Sequence, residues 1–197
     1  MMSSPIYDSL RDAIRKGEGD RVSAGEILTA LGSRAFGLSI IIIMAPVCLP
    51  MPPGVPTVVG VILSLFAVQM MLGYRAPWLP GWLRRKTIAR EKLLKSIDDL
   101  ERRLKFVERI ARPRLQFLTE GFFARLYGVV FLILGIVLIL PIPFLGNIPP
   151  ALAAGILALA LAQRDGLLAI IGLFASLAAV VFSWQMGLAA LNFLRQR

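Results

Sequence analysis

Two arginines and two glutamines recur at matching places in this chain, and they are the residues whose chemistry is easiest to put to use. Arg34-Ala35-Phe36-Gly37 and Arg125-Leu126-Tyr127-Gly128 each open an apolar segment, and each segment reaches a proline, Pro50 or Pro141, thirteen residues after its glycine. A second apolar segment then runs thirteen residues from Pro56 to Gln69 and, in the other half, from Pro150 to Gln163. A guanidinium offers a planar fork of donors that matches phosphate, and a carboxamide adds a neutral donor and acceptor. The chemistry these residues suit is the holding of an anion, with Arg34 and Arg125 attracting a phosphate and Gln69 and Gln163 as paired polar contacts. An arginine at the start of an apolar helix also has a simpler use, laying its stem along hydrocarbon and snorkelling its head to the surface, and spacing alone does not separate the two.

What must position these groups is a pair of breaks. Residues 49–56, LPMPPGVP, and residues 140–150, LPIPFLGNIPP, place prolines where no helix can pass, because proline lacks the N–H and its ring clashes with the preceding turn. Helices restarting near Pro56 and Pro150 point unpaired N–H groups and a positive dipole end into the break. Gly54, Gly146 and Asn147 allow close backbone approach there. The shared register of arginine, glycine, proline pair and glutamine reads as an internal duplication with a period of about ninety residues, the size of a repeated transporter half. Arg164-Asp165, an adjacent base and acid between two apolar segments, is either a helix turn at an interface or a functional pair.

Composition settles the solvent. With 57% hydrophobic residues and mean hydropathy +0.73 over 197 residues, the chain reads as an integral membrane protein. The single cysteine, Cys48, and the absence of histidine exclude an internal disulfide, a Cys/His zinc site and a histidine-based catalytic dyad. No cofactor motif is present. Residues 74–128 carry fourteen basic and six acidic residues, eight of the net ten positive charges, which places the middle of the chain in the cytoplasm and points to anionic lipid headgroups as partners rather than nucleic acid. The first residues lack the order of a cleavable signal, so the N-terminus is expected on that same side.

Residues 1–33 are expected to form interfacial amphipathic helices, the second beginning after the capping box Ser23-Ala24-Gly25-Glu26 and ending near Gly32. Residues 34–83 form the first membrane repeat. Its segments at 36–49 and 57–73 reach about 21 and 25 Å, short of a hydrocarbon core of roughly 30 Å, so they either extend slightly and cross or form a re-entrant hairpin whose turn is buried in protein. Residues 84–113 are a basic amphipathic linker, read as a long polar helix from Lys86 to Ala111 with acid-before-base pairs four apart and enough apolar heptads for a homodimer. Before it, Trp78 and Trp82 among prolines, beside Arg84 to Lys86, suit the headgroup region. Residues 114–166 are the second repeat, and 167–197 a C-terminal transmembrane helix. That helix carries small residues, Gly172, Ser176, Ala179, Ser183 and Gly187, for close packing against the repeats or a second copy. The fold class is thus all-α, two Pro/Gly-broken hairpins joined by a linker helix, both hairpins entering from the cytoplasmic side.

Leu31-Gly32-Ser33-Arg34-Ala35, Leu49-Pro50-Met51-Pro52-Pro53-Gly54, Pro77-Trp78-Leu79-Pro80, Arg112-Pro113-Arg114, Leu140-Pro141-Ile142-Pro143 and Arg164-Asp165-Gly166 follow one another along nearly the whole chain. In these the sequence resembles the ExoD family of bacterial exopolysaccharide synthesis proteins. The resemblance implies an inner-membrane protein linked to cell-surface polysaccharide and supplies no catalytic residues. The Pro-broken repeats are also similar in architecture to the re-entrant hairpins of DedA-type lipid-carrier transporters. The expected function is a small transporter or flippase for an anionic, polyprenyl-phosphate-like substrate. The alternative is a non-catalytic scaffold or regulator of a polysaccharide synthase, and an enzyme is disfavoured because Asp165 has no second acid or nucleophile beside it.

Overall fold

The computed structural model describes residues 21–32, 34–44, 47, 54–89, 115–119, 121–140 and 146–195. The first amphipathic segment, Cys48, most of both proline runs and the linker beyond Ala89 lie outside the described residues.

Helix α1, Ala24–Leu31, starts where the capping box requires: Ser23 Oγ accepts the Glu26 N–H at 3.2 Å and Glu26 Oε2 accepts the Ser23 N–H at 2.8 Å. It stops at Gly32, whose φ of +53° a side-chain-bearing residue adopts only with strain. Just before it, Arg21–Ser23 (β1) pairs antiparallel with Thr87–Ala89 (β2), Val22 opposite Ile88. This ribbon corrects the sequence reading, which starts the polar linker helix at Lys86. The β-branched pair Thr87 and Ile88 is better suited to a strand, and the Lys86 carbonyl accepts the Ala24 N–H instead of opening a helix.

Five apolar helices form the bundle: α2, Arg34–Met44; α3, Val55–Met71; α5, Gly121–Ile139; α6, Ile148–Gln163; and α7, Gly166–Arg195. A short α4, Gly81–Arg84, follows α3, and a 3₁₀ turn, Gln116–Thr119, precedes α5. Both restarts after the breaks use proline in the first helical turn, where its missing N–H costs nothing. The main pairings are α3 with α5, α2 with α6, and α6 with α7. Two glycines fix the first two. A Cβ on Gly37 would stand 2.5 Å from the Ala158 carbonyl oxygen and 2.6 Å from the Ala162 nitrogen; one on Gly128 would stand 2.9 Å from the Ala67 carbonyl oxygen and 3.1 Å from the Met71 nitrogen. Ala158 and Ala162 lie as far from Ala67 and Met71 along the chain as Gly128 lies from Gly37, so the two crossings share one register.

Alanine-rich α6 is the central helix, with Ala151, Ala153, Ala154, Ala158, Ala160 and Ala162 buried, and the core around it contains Ile40, Leu63, Phe131, Leu134 and Leu157. The small-residue stripe of α7 is spent inside the bundle: a Cβ on Gly172 would meet Leu157, Ser176 and Ala179 are buried, and Ser183 Oγ donates to the Gly146 carbonyl at 2.8 Å. Of that stripe only Gly187 faces open space.

The outer faces are apolar. Val58, Val61, Leu65, Val68 and Leu72 on and just past α3, and Leu126, Val129, Ile133, Ile136 and Leu140 on and just past α5, are exposed at helical spacing. Residues 121–139 and 166–189 are long and apolar enough to cross a membrane; α2, α3 and α6 are shorter.

Candidate functional site

Helix direction decides which ends meet. Gly37 at the start of α2 lies against Ala162 at the end of α6, and Gly128 at the start of α5 lies against Met71 at the end of α3. The helices of both hairpins therefore begin and end at the same end of the bundle, and Gly54, Gly146 and Asn147, at the edges of the two breaks, fall at the other. Where the four helix ends converge there is an open cavity of about 580 Å³, lined by Gly32 and Phe36 from the α2 side, Met70, Gly73, Tyr74 and Arg75 from the α3 side, Thr119, Gly121, Ala124 and Arg125 from the α5 side, and Leu161 and Arg164 from the end of α6.

Three arginines therefore line one space. Arg125, in the first turns of α5, lies across Gly73: a Cβ there would stand 2.8 Å from Nη2 and 3.1 Å from Nε. Gly73 is accordingly constrained twice, by φ +81° and by the arginine above it. Arg75 follows two residues later. Arg164 caps α6 in the left-handed region, φ 55° and ψ 41°, the position after a helix where glycine is usual. Four of the six positive-φ residues among those described, Gly32, Gly73, Gly121 and Arg164, line this cavity. Backbone in such conformations collects where a structure needs an unusual chain path. The ends of α3 and α6 turn the negative ends of their dipoles toward the cavity, and arginine there is stabilised by them, while the first turn of α5 adds N–H groups with no partner within its helix.

The residues singled out by sequence are divided between two ends. Arg125 and Arg164 line the cavity, and half-buried Arg34 stands between the lining residues Gly32 and Phe36. Gln69 is at this end but is occupied with the chain: its Oε1 accepts the Trp78 N–H at 2.6 Å and its Nε2 donates to the Trp78 carbonyl at 3.5 Å. It thereby ties down the loop that carries Tyr74 and Arg75. Gln163, the last residue of α6, is half-buried and outside the cavity lining. Asp165 is 2% exposed, and its Oδ1 accepts the N–H groups of Leu167 and Leu168 at 3.0 and 3.2 Å. That is the work of an N-cap on α7, so Arg164-Asp165 makes a tight helix turn whose first residue also lines the cavity.

Gly54, Gly146 and Asn147 lie at the other end, about 25 Å away along the seventeen-residue α3. Gly54 has φ +102°, and a Cβ there would meet nothing within 4 Å, so glycine is required for the turn and not for space. The Gly146 carbonyl is held by Ser183, and Asn147 precedes α6 without a side-chain cap bond. The helix starts after the breaks consequently point away from the arginines. Tyr74, Arg75 and Thr119 were missed as site residues. The signal for them was topological: once both hairpins start and end on one side, the loops after α3 and before α5 must meet.

A bundle with two helices long enough to span a bilayer and belts of exposed apolar side chains is consistent with a membrane protein. The chain belongs to the ExoD family: the family model described as "Exopolysaccharide synthesis, ExoD" matches residues 6–185. It is similar to Protein ExoD of Rhizobium meliloti (strain 1021), 33% identical over 189 residues covering 94% of this chain and 78% of that protein. It is also similar to an uncharacterized protein of Synechocystis sp., 30% identical over 156 residues, 78% of this chain and 73% of that one. No solved structure matches the chain. Membership implies involvement in exopolysaccharide synthesis.

Proposed function

We propose that this protein is a multi-pass protein of the bacterial inner membrane that binds an anionic, lipid-linked substrate of exopolysaccharide synthesis in the arginine-lined cavity and moves it between the leaflets. The observation that carries this reading is the meeting of Arg75, Arg125 and Arg164 around one open space at the end of an apolar bundle. Arginines gathered at one place can hold an anion through charge-assisted hydrogen bonds, and a cavity of this volume falls within the range of small-molecule sites. The two hairpins are duplicated halves related by an approximate two-fold axis along the membrane normal. In support, α2 on α6 and α3 on α5 are the same crossing made twice. The cavity straddles that axis, with Met70 opposite Leu161 and Gly73 opposite Arg164 in the register the glycines set. The breaks suit re-entrant turns, since α2 extends only about 16 Å.

The test is polysaccharide output in cells carrying Arg125→Ala or Arg75→Ala, measured beside the yield of folded, membrane-inserted protein. Output should fall severalfold or more at unchanged yield. Normal output from both variants would remove the cavity from the function. The scaffold alternative has less to stand on, because most of the small-residue stripe it would use is covered by α6 and the second break.

A further inference from the structure

The arginine cavity has a neighbour. Tyr74, which lines it, also lines a gap of about 160 Å³ beside Trp78, and three residues of that gap, Gly25, Thr29 and Arg84, line in turn an open cleft of about 780 Å³. Helix α1 is the shared wall. Its C-cap, Gly32, faces the cavity, and its first turns, from Ser23 to Thr29, face the cleft. Eight helical residues span about 12 Å, so cavity and cleft are the two ends of one groove.

The ends differ in chemistry. Among the described residues, the cavity is lined by three arginines and by no acid. The cleft carries both signs and two hydroxyls, on Ser23, Glu26, Thr29, Arg84 and Arg85. An anion is repelled by the Glu26 carboxylate. Nor is the first turn of α1 free to hold one, since the Ala24 N–H donates to the Lys86 carbonyl and the Glu26 N–H to Ser23 Oγ. A neutral polyol suits such a lining, because each sugar hydroxyl is donor and acceptor at once and is satisfied where it meets both.

These polar groups are held in place by bonds within the protein. Ser23 Oγ accepts the Glu26 N–H and keeps its own proton for a ligand; Thr29 Oγ1 donates to the Gly25 carbonyl at 2.8 Å and keeps its lone pairs; Glu26 gives Oε2 to the cap and has Oε1 left. Arg84 lies across Gly25, where a Cβ would stand 2.7 Å from its Cγ and 2.9 Å from its Nε. Side chains fixed in the free protein reduce the ordering that binding requires. Between cleft and cavity, Trp78 is 61% exposed while Gln69 holds its backbone at both N–H and carbonyl. An indole so presented offers an apolar face for the C–H side of a pyranose ring.

Resting on the functional reading above, we infer that the substrate is glycosylated: the arginine cavity holds the phosphate of the lipid-linked molecule, and the groove along α1, from Tyr74 and Trp78 to Glu26 and Thr29, binds a short neutral saccharide attached to it. Carrier lipid without a sugar fills only one end of the groove.

The experiment uses the full-length protein in a neutral detergent and reads equilibrium binding of two probes, lactosyl farnesyl phosphate and methyl farnesyl phosphate. Both are phosphodiesters with one negative charge and the same lipid, so the sugar is the difference between them. The wild type should bind the lactosyl probe about tenfold more tightly or better, which two net hydrogen bonds supply. Glu26→Gln keeps the capping box, since glutamine serves at that position, but replaces a charged acceptor by a weaker neutral one. Thr29→Val keeps the shape and removes the hydroxyl. Each should cut the preference for the lactosyl probe severalfold. A wild-type preference near one, or a preference that survives both substitutions, would overturn the inference. So would tighter binding of the lactosyl probe by Glu26→Gln, the behaviour of a cleft that holds an anion. Arg125→Ala keeps the two levels apart: it should weaken both probes alike and leave their ratio standing. If it weakens neither, the functional reading of the cavity fails, whatever the ratio; if it weakens both while the wild type shows no preference, that reading stands and the saccharide groove is removed.

Discussion

Arg164 offers the sharpest test, because the structure assigns it two effects of opposite sign. It holds φ 55° and ψ 41° at the end of α6, a conformation that costs an L-residue roughly 1–2 kcal/mol and glycine almost nothing. It also lines the cavity. The informative comparison is Arg164→Gly with Arg164→Ala, since both lose the guanidinium and every contact it makes, and they differ only at the backbone. Glycine gives back part of the gain through its greater freedom in the unfolded chain, about 0.4–1 kcal/mol. The net expectation is that Arg164→Gly exceeds Arg164→Ala by about 0.5–1 kcal/mol, or roughly 1–4 °C in Tm for a chain near 200 residues. Thermal unfolding of the two detergent-solubilised variants at one scan rate reads this. Both should lose polysaccharide output to the same degree. If Arg164→Gly melts at or below Arg164→Ala, the left-handed backbone is not the source of strain, and the argument that a guanidinium is kept there at the expense of stability fails.

Four further outcomes are expected. Gly37→Ala should destabilise by about 1–3 kcal/mol, because its Cβ would press on the backbone of α6 at Ala158 and Ala162. Gly128→Ala should cost less, as the backbone atoms its Cβ would meet, the Ala67 carbonyl oxygen at 2.9 Å and the Met71 nitrogen at 3.1 Å, stand farther off, and melting of the two side by side checks the order. Ser183→Ala should lose about 1 kcal/mol from the buried bond to the Gly146 carbonyl, with output unchanged. Gln69→Ala releases the Trp78 loop, so output should fall while bundle stability, read by Tm, changes by about 1 kcal/mol or less. In a Cys48→Ala background, cysteines at Arg85 and Phe117 should label from the same membrane face and one at Gly54 from the opposite face or not at all; labelling of Arg85 and Phe117 from opposite faces would refute the parallel arrangement of hairpins.

Local signals carried well from sequence to structure, and tertiary ones did not. The capping box at Ser23 and Glu26 is a matter of four consecutive residues, and it appears as read. The glycines three residues after Arg34 and Arg125 were legible in the sequence only as marks of the repeat; that they are the points of close helix contact is seen in the structure. Which partner, however, was not written locally. Nothing in residues 55–71 says that they will lie antiparallel to residues 121–139, and that pairing is what separates the breaks from the arginines. Gln69 illustrates the same limit: its recurrence at Gln163 suggested a matched pair of ligands, whereas one holds a loop and the other lies outside the cavity lining. The ribbon joining Arg21–Ser23 to Thr87–Ala89 pairs segments far apart in the chain, and three residues are too few for a period of two to declare itself.

The separation of breaks and arginines changes the electrostatic argument for where an anion belongs. A helix start offers partial positive charge, and on that ground the restarts at Val55 and Ile148 are suited to an anion. Among the described residues of those restarts, however, Gly54–Thr57 and Gly146–Ala151 contain no cation, and the Gly146 carbonyl is bound to Ser183. At the opposite end the dipoles of α3 and α6 are unfavourable to an anion, yet whole charges on Arg75, Arg125 and Arg164 outweigh two half-charges. The same dipoles favour arginine at those helix ends, so the polarity that makes the bare ends of α3 and α6 poor sites for an anion suits them to carry the cations that attract one.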